Sequence, residues 1–134
     1  EAFQVAEALA ERTGAAVSVH GAEAARRFGL TTQMPTQPVF NTTGPSRRLQ
    51  IGHLEVRLSH VSSRQMALPG RLAGMALSAL WYLGKQEVAP TTIAVLRQRL
   101  PAEEFSVLSN SKSIMPAWMS DVFNRFEQGH NTNG

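Results

Sequence analysis

The chain has 134 residues, of which 43% are apolar and 17% charged, a balance that supports one folded domain with a real core and excludes disorder by composition. Cysteine is absent, which excludes disulfides, thiolate zinc sites and a cysteine nucleophile and fits a reducing cytoplasm. The sequence pI near 10.2 overstates the basicity, because the formal net charge is only +3, so charge matters only where arginines cluster.

In chain order, Val5, Ala6, Leu9 and Ala10 recur at helical spacing, and Gly14 is a ready stop. Ala15 to His20 alternates with Val17 and Val19 on one face and predicts a short strand. Gly21 to Phe28 predicts a second short helix that ends at Gly29. Thr31 to Pro38 has two prolines and no period, and reads as a loop. Residues 38–43, 47–51 and 53–61 then predict a small antiparallel meander. With Gly52-His53 as a two-residue turn, Ile51 lies opposite Leu54, Leu49 opposite Val56, Gln50 opposite Glu55, and Arg48 opposite Arg57.

After Pro69-Gly70 the chain turns helical. Leu72, Met75, Ala76, Leu80 and Leu83 form one stripe, while Leu77, Trp81 and Tyr82 lie outside it, so this helix is apolar nearly all round and central. Gly84 ends it. Pro90 and Pro101 each open a further helix, and a last helix carries Trp118, Met119, Val122, Phe123 and Phe126 with Asp121 and Arg125 paired at i, i+4. The expected fold is α+β, a small mostly antiparallel sheet with a helical C-terminal half. Residues 1–128 form one domain and 129–134 a polar tail. The first residue is Glu1 rather than methionine, so a native N-terminal segment is expected to precede it. No run approaches the roughly 18 apolar residues of a spanning helix, and no signal peptide is visible, so no membrane partner is expected.

Catalytic patterns are missing. His20, His53, His60 and His130 make no helical i, i+4 pair and have no carboxylate at metal spacing. His60 shares the parity of Leu54, Val56 and Leu58, which predicts a buried, hydrogen-bonded histidine. No acid supports a Ser-His-Asp arrangement around Ser46 or Ser59-His60, and no glycine loop has the lysine of a phosphate-binding P-loop. Glu55 beside Arg57 on a strand suggests a metal-dependent or degenerate nuclease sheet as an alternative, although such an enzyme needs a second carboxylate close by. The expectation is a binding domain with no enzymatic activity, cofactor or metal.

Arginine placement carries the positive reading. From residue 24 to residue 86 the basic residues are Arg26, Arg27, Arg47, Arg48, Arg57, Arg64, Arg71 and Lys85, against the single acid Glu55. Ser46, Arg47, Arg48, Arg57, Arg64 and Arg71 are therefore the candidate contacts to nucleic-acid phosphates or to an acidic protein partner. Aromatics are not interleaved with them, which argues against base stacking. Trp118, Met119 and Phe123 read mainly as core. Any exposed part would make a protein anchor, and a purely structural interaction domain is a further alternative.

Four runs are shared with a known family: Val5-Ala6-Glu7-Ala8-Leu9-Ala10 with Thr13-Gly14, Gly44-Pro45-Ser46-Arg47 with Ile51-Gly52, Leu80-Trp81-Tyr82-Leu83-Gly84-Lys85, and Pro116-Ala117-Trp118-Met119. In this order the chain resembles the C-terminal domain of AbiEi-like antitoxins. The resemblance implies an antitoxin and transcription regulator of a bacterial type IV toxin–antitoxin (phage-defence) system. It also implies a cytoplasmic location and a nucleotidyltransferase toxin as partner. Members usually carry a winged helix-turn-helix before this domain, which this sequence lacks. Its arginines are therefore expected to hold DNA backbone without reading bases. The resemblance assigns no site residues.

Overall fold

A computed structural model of the chain describes residues 2–34 and 37–133, with side chains described as far as Gly129. The elements run α1 (Ala2–Glu11), β1 (Val17–Val19), α2 (Gly21–Arg27), β2 (Val39–Thr42), β3 (Arg47–Ile51), β4 (Leu54–His60), a 3-10 turn (Ser63–Met66), α3 (Leu72–Leu83), α4 (Pro90–Arg99), α5 (Ala102–Ser109), a second 3-10 turn (Lys112–Ile114) and α6 (Ala117–Asn133). This is an α+β fold with a helical C-terminal half. Among the described residues no helix is long and apolar enough to cross a membrane.

The hairpin register is the expected one: Ile51 pairs with Leu54, Leu49 with Val56, Gln50 with Glu55 and Arg48 with Arg57. Gly52 turns it at φ +62, in the left-handed region, and His53 does not have positive φ. That combination is the type II′ turn, whose twist suits paired strands.

The meander is not formed. The sheet order is β1-β2-β4-β3, with β2 parallel to β4, so β4 keeps its hairpin partner β3 on one side and takes β2 on the other, between the two. The link of residues 43–46 crosses the end of β4 instead of closing a tight turn. His60 N donates to Ser46 Oγ at 2.8 Å, and His60 Nδ1 lies 2.8 Å from Gly44 O. The physical reason is burial: β4 carries Val56 and Leu58, both buried, and a strand with that much apolar surface belongs in the sheet centre. His60 is hydrogen-bonded as expected but exposed, because it sits at the strand's end under that link.

Phe3 of α1 meets Phe40 edge to face at 5.3 Å, which puts α1 on the sheet face of Phe40, Val56 and Leu58. The main core lies among the helices, with Leu77, Leu80, Ile93, Leu96, Leu108, Met119 and Phe123 fully enclosed. α3 is central, as its all-round apolar pattern requires. Gly84 stops it at φ +84, returning its N–H to Leu80 O at 3.0 Å.

Two helical expectations need correction. α6 continues past Gly129, so the polar tail expected from residue 129 begins as helix. Asp121 and Arg125 do not pair with each other; the ion pair on this helix joins Glu127 to Lys112.

Candidate nucleic-acid interface

Strand parity places Arg48, Gln50, Glu55, Arg57 and Ser59 on the sheet face opposite α1, and the parallel register adds Asn41 beside Ser59. Arg47, Arg48 and Arg57 are exposed and make no hydrogen bond or ion pair among the described residues. Arg48 and Arg57 face each other directly across the ladder. Like charges in that position repel by a few tenths of a kcal/mol, up to about 1.

The other basic candidates serve the fold. Arg64 Nε and Nη2 donate to the carbonyls of Ile114 and Met115 at 2.8 and 2.6 Å, and its guanidinium lies 5.9 Å over the Trp81 ring. It ties the first 3-10 turn to the segment before α6. Arg71 pairs with Glu104 at 2.8 Å, while Glu104 Oε1 accepts from Ala73 N at 3.0 Å and so caps the start of α3. The hydrogen bond from Arg71, then that from Ala73, holds the Glu104 carboxyl below its usual range. Arg26 and Arg27 both bind Glu23, at 2.6 and 2.8 Å. The Arg26 hydrogen bond foremost, with Arg27 adding to it, pulls Glu23 down to about 2.

Half of the basic middle is thus engaged within the fold: Arg26 and Arg27 share one carboxylate just outside the counted span, Arg71 pairs with one far along the chain, and Arg64, still charged, hydrogen-bonds two carbonyls. Ser46 is spent on the β4 link. Met119 and Phe123 are fully buried and so unavailable to another protein, while Trp118 packs partly buried against the same core and keeps an exposed part. The helical spacing of Met119 and Phe123 turns them inward together.

A recess that sequence reasoning missed adjoins the free arginines. His20, Asn41, Ser59, Gln65, Trp81 and Tyr82 line a cavity of about 110 Å³. Asn41 is 5% exposed, and neither its amide nor the Ser59 hydroxyl has a hydrogen-bond partner among the described residues. His20 caps α2 by accepting from Ala22 N through Nδ1 at 3.0 Å, which leaves Nε2–H as the donor of the neutral ring. Its ring meets Tyr82 edge to face at 5.9 Å. The only signal in the chain was alternation, Arg57-x-Ser59 on one strand, and nothing local joins that to His20 or Tyr82.

Burial, and next the charge of Arg57, lowers the His20 pKa from its ordinary 6.5. A depressed histidine favours the neutral folded state, so the unfolded chain takes up the proton first. Stability is expected to be full above about pH 6.5 and to fall as pH drops through the window below it. Urea denaturation between pH 7.5 and 5 tests this, with His20→Asn as the control. Asparagine keeps the cap, and this component of the pH dependence should vanish. An unchanged pH profile in His20→Asn would remove His20 as its source.

Among the described residues no group of three His, Cys, Asp or Glu side chains converges as a metal site would. Residues 1–107 match the model of DUF6088, a family of unknown function. No curated protein and no solved structure matches the chain.

Proposed function

The chain belongs to DUF6088, a family of unknown function, and we propose that it is a non-catalytic binding domain of the antitoxin–regulator kind, whose polar sheet face holds phosphates of a nucleic-acid backbone. The observation that carries this reading is the opposed pair Arg48 and Arg57, neither in an ion pair among the described residues, on a face that runs on to the unpartnered Ser59 and Asn41. An anion set between the two guanidiniums removes their repulsion and gains charge-assisted hydrogen bonds. Exposed arginines on a strand pair suit contact with backbone phosphates, which positions a protein on a duplex without reading sequence.

The antitoxin assignment, its nucleotidyltransferase toxin and a cytoplasmic location are supported by the ordered resemblance of the four sequence runs and belong to the same proposal. The acidic-partner reading uses the same two arginines.

The test is retention of an unrelated DNA duplex across a salt series. Two phosphate contacts give a log–log slope near −1.8, from about 0.9 per contact. Retention at low salt that is lost by physiological salt supports backbone contact. No retention even at low salt ends the DNA reading and leaves the arginines to an acidic protein, the toxin first.

A further inference from the structure

β1 is the outer strand at the sheet edge opposite the arginine hairpin. Thr43 N donates to Ala16 O, so Ala16 is turned toward β2, and the alternation of an antiparallel ladder turns Ser18 the same way. The N–H and C=O groups of Val17 and Val19 therefore point away from the sheet, and among the described residues they have no partner. Free edge amides invite another strand.

Beyond this edge lies an open cavity of about 580 Å³, with Phe3, Met66, Leu68, Leu72 and Met75 among its walls. Glu7 and Glu11, one turn apart on α1, border it and are exposed without an ion pair among the described residues. Arg71 also borders it, but its charge is answered by Glu104. The groove thus joins three features: unpaired backbone, apolar walls and an uncompensated acidic rim. A small apolar ligand would use only the second.

We propose that β1 accepts an extended peptide segment of a partner protein as a fifth strand. Alternate apolar side chains enter the cavity, and a lysine or arginine reaches Glu7 and Glu11. Main-chain hydrogen bonds to Val17 and Val19 supply affinity, and the pocket and acidic rim supply selectivity. This surface is independent of the phosphate-binding reading, since it lies on the other edge of the sheet.

The probe is a capped peptide alternating valine with lysine and threonine, titrated into the full chain with amide hydrogen exchange as readout. Val17 and Val19 amides should slow at least about tenfold, as new hydrogen bonds protect them, while Ser18, already bonded to β2, stays unchanged. Val17→Pro removes an outward N–H without touching the β1–β2 ladder, and should weaken binding about five- to tenfold, the loss of one hydrogen bond. Should that variant fold poorly, the double change Glu7→Gln and Glu11→Gln should weaken the same peptide and abolish the salt dependence of its binding. Absence of slowing at Val17 and Val19, or binding indifferent to these changes, overturns the proposal.

Discussion

The Gly21→Ala variant is expected to lose about 3 kcal/mol of stability, the upper end for overpacking a buried site. Glycine in a helix normally costs about 1 kcal/mol relative to alanine, so propensity alone predicts the opposite sign. The geometry of the α2–α3 contact decides. A Cβ built on Gly21 would lie 2.5 Å from the carbonyl oxygen of Ser78 and 2.6 Å from Tyr82 Cβ. The oxygen is helix backbone and the Cβ is fixed to it, so neither can rotate away. α2 has to lift off α3, exposing part of the core that Ala24 and Ala25 share with α3. His20 and the polar recess would move with it. In denaturant unfolding the midpoint should fall steeply; a variant as stable as the parent would mean that the helices are not in such close contact.

Arg48→Glu has the largest expected effect on binding, and its effect on stability has the other sign. Glutamate at position 48 faces Arg57 directly, which turns a repulsive cross-strand pair into an attractive one. Such a change is worth roughly 0.2–1 kcal/mol in favour of the fold. At the same time it removes one phosphate contact, repels the next phosphate, and occupies Arg57 with an internal partner. Nonspecific DNA retention should disappear while the melting temperature holds or rises slightly. This pattern separates a binding role from a structural one, because a scaffold residue loses both together. Retention unchanged in Arg48→Glu would place the phosphate contact elsewhere on the chain. Retention restored in Arg48→Glu with Arg57→Lys would also tell against the opposed pair as the site.

The hairpin was legible residue by residue because its determinants are local: Gly52 can take positive φ, and the alternation on either side sets the register. The helices were legible for the same reason, through periodicity, the prolines that open α4 and α5, and the glycines at φ +75, +74 and +84 that close α1, α2 and α3. Strand order was not. Whether β2 lies beside β3 or β4 depends on which strand is buried on assembly, and the sequence distance between them says nothing about that. The charge count misled in a similar way. Eight basic residues against one acid between residues 24 and 86 became three free hairpin arginines and Lys85, once Glu23, Glu104 and two carbonyls took up the rest.

By itself, then, the sequence determined what one or two turns of chain can encode: the element types, the hairpin register, the central place of α3, and the opposition of Arg48 and Arg57. Only the tertiary structure decided which charges stay free, that His20, Asn41, Ser59 and Tyr82 share a recess, and that β1 keeps an open edge. Those properties depend on contacts between residues far apart in the chain, and their energies exist only once the helices and the sheet have packed.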